Sequence, residues 1–593
     1  MSSRSSVSPV SSLKWYAAYT VVSLMLSACG LPEAPGLGGG SGSSSSQDQP
    51  APVVTAAEGA NGTASSTKSM KATAAPKEQQ INDEDALRFL SQATFGPVSL
   101  DEVVAVRDAG LQQWFTHQFS LEAASQMAYI SAQSAREKDG KPREDMSYEA
   151  IWQQWLYSEA QLRARVAFAL SEIFVISNTA PDLNANAMSS YMDMLNRNAF
   201  GNYRKLLEDV TLHPAMGYYL NMIESEKEDP FKGTHPNENY AREVLQLFSI
   251  GLLKLNPDGT PIKDAQGATT PTYDQSVVEG FAKAFSGWSF GGRDTSKSDA
   301  FQSGDENWTV PMQAWASKHS TASKKLLDGR TLAPGQTPQQ DLRDALDSIF
   351  NHPNVGPFIS RRLIQRLVTS NPSPAYVQRV AAVFDNNGSG ERGSLAHVVY
   401  ATLMDLEARG NVAMQGPNSG KQREPVIRLA NILRALNGTA TAGHTEIHEL
   451  DSADNGLGQS PLLAPSVFNF FSPDFRNPGP IAAAGLYSPE FQITTETSVV
   501  GALNFFARLI KDGGYGSGDT KVRFDFGRFD AVAVDASTLI NHMSYLFMNG
   551  NITPTTRTAM LRAINSIDPK LRTDRIKTAL ILVSISPEFV IQR

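Results

Sequence analysis

Cysteine is almost absent: Cys29 is the one thiol in 593 residues. A lone thiol closes no intrachain disulfide and supplies neither a thiolate metal cluster nor a paired haem-attachment motif. Long basic runs are also missing. The net charge is −8, from 52 Lys and Arg against 60 Asp and Glu. That balance argues against nucleic acid as a partner, because such binding rests on a basic face that neutralises phosphates. The apolar run at residues 15–26 is shorter than the roughly 20 residues that cross a bilayer, and no later stretch is apolar enough to do so. There is no Gly-x-Ser-x-Gly elbow, and Gly420 with Lys421 is not a phosphate loop. Alternating strand patterns never exceed a few residues. Without cross-links, stability must come from an apolar core, and a chain this long can bury one.

Near the start, Arg4 and Lys14 precede that apolar run, and Leu26-Ser27-Ala28-Cys29 follows it. A basic stretch, an apolar stretch and small residues are the layout of an export signal. Ser27-Ala28 before a cysteine resembles the lipobox of bacterial lipoproteins. The resemblance implies cleavage after residue 28 and lipid on Cys29. Gly30 in place of an aspartate favours the outer membrane or cell surface in a host with two membranes. The protein is then expected to be anchored to the cell envelope by lipid, not threaded through it. Loss of Arg4 and Lys14 takes the mature charge to about −10.

Residues 29–80 are rich in Gly, Ser, Ala, Pro and Thr, including Gly38-Gly39-Gly40-Ser41-Gly42. Too little apolar surface is present to offset the entropy of ordering them. Such a tether of about 50 residues spans roughly 40 Å root mean square. From about residue 81 to 593 the pattern turns helical, as one large domain or two lobes. The expected fold is mainly α, a large multi-helical body with a small β-hairpin and long irregular insertions near 224–236, 290–325 and 439–490. Ser99 with Glu102 reads as a capping box, and Gly110 as that helix's end. Thr337-Pro338 with Gln340 reads as a second box, and Ser373-Pro374 as another helix start. Further helices are expected over 394–409, 425–436 and 575–586. The hairpin is expected over 253–262, turning at Asn256-Pro257-Asp258-Gly259.

The richest polar cluster is His235-Pro236-Asn237-Glu238-Asn239-Tyr240-Ala241-Arg242-Glu243, opening a helix that ends at Gly251. One reading is structural: Asn237 caps, and Glu238 complements the helix N-terminus and pairs with Arg242. The other is catalytic: His235, Glu238 and Glu243 converge on a pocket for acid–base or metal work. His444 and His448 have the spacing of a metal pair on a helix, but Gly and Thr around them favour a loop. Asp385-Asn386-Asn387-Gly388-Ser389-Gly390 begins like a calcium loop, yet Ala396 stands where the bidentate glutamate belongs. No metal ligand set is therefore assigned, and no cofactor is identified. Arg361, Arg362, Lys421 and Arg423 are candidates for an anionic-ligand patch.

Several stretches together resemble a large family of exported bacterial proteins known as domain of unknown function 1800, DUF-1800. They include Ala93-Thr94-Phe95-Gly96-Pro97, Asn237-Glu238-Asn239-Tyr240-Ala241-Arg242-Glu243, Phe285-Ser286-Gly287-Trp288, Asn371-Pro372-Ser373-Pro374, Arg423-Glu424-Pro425 and Ser586-Pro587-Glu588-Phe589. The likeness runs from about 82 to 593. It implies a large, mostly helical, exported protein of unassigned activity. It also implies a partner, because genes of the family often lie beside those of an exported family that looks like the alkaline-phosphatase and sulfatase class. Ser320 departs from the pattern, which has an acid after the histidine of Lys318-His319, so a metal role for His319 loses its support.

Two functions lead as expectations, with recognition of an anionic polymer by Arg361, Arg362, Lys421 and Arg423 a third. The first is a lipid-anchored binding or assembly module acting with an exported phosphatase-like protein. The second is an envelope hydrolase in which Glu238 or Glu243 is the base, His235 an acid or ligand, and Arg242 an oxyanion clamp.

Overall fold

The computed structural model describes residues 81–410 and 418–593; the expected leader, Cys29 and the tether to residue 80 lie outside them. Local sequence explains most helix starts. Ser99 accepts a hydrogen bond from the Glu102 amide at 3.2 Å, and Gly110 ends the helix Leu100–Ala109 at φ 83°. The Glu102 carboxylate reaches back to the Val98 amide at 2.7 Å, one residue earlier than a standard box. Thr337 and Gln340 close the reciprocal box of the helix Pro338–Phe350, with Pro338 in the first turn. Ser373 caps Pro374–Asp385.

The body is mainly α, with only two-stranded sheets among the described residues. Its centre is built by helices buried on nearly every face: Gln161–Ser171, Ala185–Asn198 and Pro425–Ala435. A helix apolar or internally satisfied all round belongs inside a large core. Phe95 stacks on Trp155 at 4.4 Å, and Trp152 meets Trp155 edge-on at 5.2 Å. The described residues belong to one unit. No helix among them is long and apolar enough to cross a membrane.

The hairpin is present. Asn256 and Thr260 bond across the turn at 2.8 Å, and Ile262 donates to Lys254 at 2.7 Å. Gly259 sits at φ 76°, which a side chain would strain. The pairing continues through Lys263 and Thr269 to Leu253 and Pro271, making a small meander.

Two helices differ from expectation. The stretch 394–409 is split into Leu395–Met404 and Leu406–Arg409 at Asp405. Asp405 caps the second piece through the Glu407 amide and binds Arg379 at 2.7 Å, so it leaves helical geometry to serve both. The helix expected to run to Gly251 is regular only over Asn239–Gln246. Its last turn loosens, with Ile250 and Gly251 both donating to the Leu245 carbonyl.

Candidate functional site

The helix Asn239–Gln246 presents the polar cluster. Asn237 Oδ1 accepts from the Asn239 amide at 2.9 Å, but the N-cap is Glu238, whose side chain makes no capping bond. Glu238 Oε2 accepts from Arg242 at 2.9 Å and from Gln275 Nε2 at 2.8 Å; Arg242 also reaches Gln275 Oε1 at 3.3 Å. These three form a closed, half-exposed triangle. Glu243 lies on the buried side, where its Oε2 has no hydrogen-bond partner. Burial raises its carboxyl above the ordinary range, against a smaller lowering by Arg242. The Tyr273 hydroxyl is also unpartnered; burial, then the Glu243 charge, push it up to about 12. His235 stands exposed ahead of the helix. The fold thus joins Glu238 to Arg242, but puts Glu243 inside and His235 in solvent.

Next to this helix lies a cavity of about 400 Å³, within the size range of small-ligand pockets. Tyr218, Tyr219, Phe290 and Ile223 give it apolar walls, and Asn221, Glu224 and Glu306 give it polar ones. Asn221 and Glu224 both adopt positive φ, 57° and 60°. Left-handed non-glycine residues are costly and collect at functional sites. Asn239 Nδ2 donates to Asn221 Oδ1 at 3.1 Å, tying the pocket to the polar helix. Gly217, inside the helix Pro214–Tyr219, lets Met312 pack close, since a Cβ would meet Met312 Sδ at 2.6 Å. Tyr218 donates a hydrogen bond to Asp182. The nearly buried Arg293 side chain lies 4.7 Å over the Phe290 ring and 2.9 Å from Glu224. A cation is therefore already held between an aromatic face and a carboxylate.

The expected anionic patch does not form a single exposed surface. Arg361 lies 4.9 Å over the Tyr487 ring, and Arg362 pairs with Asp474 at 3.0 Å. Lys421 and Arg423 are buried instead. Arg423 donates to the Phe547 carbonyl at 3.1 Å. Lys421 binds Glu490 at 3.0 Å, Glu424 at 3.7 Å and the Arg366 carbonyl at 2.9 Å. The reason is chain path: Lys421–Gln422 pairs with Ile591–Gln592 and leads into the interior helix Pro425–Ala435.

Around Lys421 sits a buried ionic network. Arg366 binds Glu172 at 3.0 Å, and Asn469 donates to the same oxygen at 3.1 Å. Gln459 donates to Glu424 at 2.6 Å. Burial pushes the Glu172 carboxyl up to about 8, against Arg366 and with help from Glu424. Burial also acts on Glu424, but Lys421, Arg366 and the Glu172 bond outweigh it and hold its carboxyl low. Of the two carboxyls, Glu172 is the one that burial favours in its neutral form. The adjoining cavity is about 30 Å³, too small for a substrate.

The remaining motifs resolve simply. His444 and His448 lie in irregular chain, so they share no helix face. Asn386 and Asn387 accept bonds from backbone amides of residues 388–391, which makes their segment a turn. His319 is buried against Asp341 at 2.7 Å, and Lys324 takes the same oxygen at 2.7 Å. Sequence reading missed the pocket residues and the partners of Lys421. The pocket draws on residues 180 to 306, from segments far apart in sequence.

No curated protein and no solved structure matches the chain. A family model does, over residues 88–591. The chain belongs to the family described as protein of unknown function, DUF1800.

Proposed function

We propose that this protein is a cell-envelope binding module, moored by lipid on Cys29, that engages an exported phosphatase- or sulfatase-like partner. The observation that carries the binding reading is the 400 Å³ pocket beside the helix Asn239–Gln246. Its aromatic walls and the exposed Glu306 carboxylate suit a lysine- or arginine-bearing segment of that partner. Arg293 over Phe290 already shows this mode of holding a cation. The tether expected at residues 29–80 supports the reading, since it gives the body reach above a lipid surface.

The test is co-isolation of the tagged full chain with envelope proteins. A phosphatase- or sulfatase-like protein should be recovered with the wild type. The double variant Tyr219→Ala, Glu306→Gln should weaken recovery at least tenfold, about 1.4 kcal/mol. Equal recovery with the variant, or no such partner at all, refutes the proposal. An envelope hydrolase built on His235, Glu238, Arg242 and Glu243 is the second reading. One observation favours it, the buried unpartnered oxygen of Glu243. Hydrolysis of envelope esters that survives Glu243→Gln unchanged removes it.

A further inference from the structure

The helix Met146–Tyr157 begins with Asp145 at its N-cap and Glu149 in its first turn. Spaced i,i+4, the two carboxylates sit one above the other on one face. His448 arrives from the irregular stretch near 439–490, some 300 residues later in sequence. Its Nε2 lies 3.2 Å from Glu149 Oε1 and 3.4 Å from Asp145 Oδ2. The three ligand atoms all fall within 4.8 Å of one another. We propose that Asp145, Glu149 and His448 form a divalent transition-metal site, with zinc the ion their chemistry suits best.

Three arguments converge. The first is spacing. Zinc bonds to nitrogen and oxygen of roughly 2.0–2.2 Å at a tetrahedral angle set ligand atoms about 3.3–3.6 Å apart. A charge-assisted hydrogen bond would be nearer 2.8 Å. The second is proton count. One Nε2 has at most one proton, so two carboxylates would have to share it in a weaker bifurcated bond, whereas one ion serves both. The third is outer support. Tyr129 donates its hydroxyl to Glu149 Oε2 at 2.8 Å, which leaves Oε1 turned to the site. Ligating carboxylates are usually oriented by such a bond. One imidazole and two carboxylates are a zinc donor set, and three protein ligands leave a fourth position for water.

Arg143 is the competing cation. It binds Asp145 Oδ1 at 3.0 Å, Glu149 Oε1 at 2.9 Å and Glu137 at 2.6 Å. Its side chain is 41% exposed, so it can give up the Glu149 oxygen and keep the other two partners. The ion then fastens the long insertion to the helix Met146–Tyr157.

Zinc content and affinity of the full chain test this, by elemental analysis and calorimetry. One zinc per chain is expected. His448→Ala should weaken binding at least tenfold, while His444→Ala should leave it unchanged. Arg143→Gln should tighten it, because the competitor is gone. Cobalt(II) on the wild-type chain should give the intense visible bands of a four-coordinate site, a readout that needs no variant to fold. No zinc above background, equal zinc in His448→Ala, or weaker zinc in Arg143→Gln overturns the proposal.

Discussion

Two helix starts with a glutamate at the N-cap and an arginine four residues on meet opposite fates. Glu238 and Glu424 both stand at the N-cap of a helix with basic residues close by. The Glu238 side chain is 34% exposed and shares its charge with Arg242 and Gln275 at the surface. Glu424 is fully buried among Lys421, Arg366, Glu172 and Gln459. A carboxylate suits a helix N-terminus in either place. What differs is the medium. Water screens the first set of charges, while the second must be balanced by its own partners.

The contrast can be broken most forcefully at Lys421. Lys421→Met leaves Glu490 and Glu424 without their shared cation in a dry interior. A loss of about 3–5 kcal/mol in unfolding free energy is expected by chemical denaturation. A loss no larger than that at Glu238 would show the network to be wet or mobile. A medium effect is expected at Glu172. Its folded carboxyl is raised to about 8 from the ordinary 4.5. Between those values the native state holds a proton that the unfolded state has released. Stability from this group is thus fullest below pH 4.5 and falls as pH rises through about 8. Glu172→Gln, always neutral, should flatten that part of the stability–pH curve; an unchanged slope would assign the proton elsewhere. The smallest effect belongs to Glu238→Gln. A half-exposed i,i+4 pair contributes under about 1 kcal/mol, and added salt should shrink it further. A larger loss, insensitive to salt, would mean that the triangle with Gln275 is a structural clamp.

Legibility followed range. Ser99, Ser373 and the Thr337 box acted as their local sequence says, because a cap needs only an amide two or three residues on. The turn at Asn256-Pro257-Asp258-Gly259 formed for the same reason. Asp405 was less legible: it breaks a helical stretch because Arg379, on another helix, holds it. Lys421 and Arg423 read as surface cations from their charge alone, and only the strand pairing with Ile591–Gln592 carries them inward. The candidate site was visible in half. Glu238 and Arg242 pair as their spacing says. The pocket next to them could not be foreseen, because Tyr218, Phe290 and Glu306 meet only when the insertion folds back.

The sequence by itself determined the fold class, the helix starts, the hairpin turn and the family, since each depends on periodicity or on contacts a few residues long. The tertiary structure alone decided which charges are dry, which loop faces the pocket and which carboxylates meet His448. Those outcomes depend on chain segments tens to hundreds of residues apart, brought together by the burial of apolar surface, which has no preference for where along the chain that surface comes from.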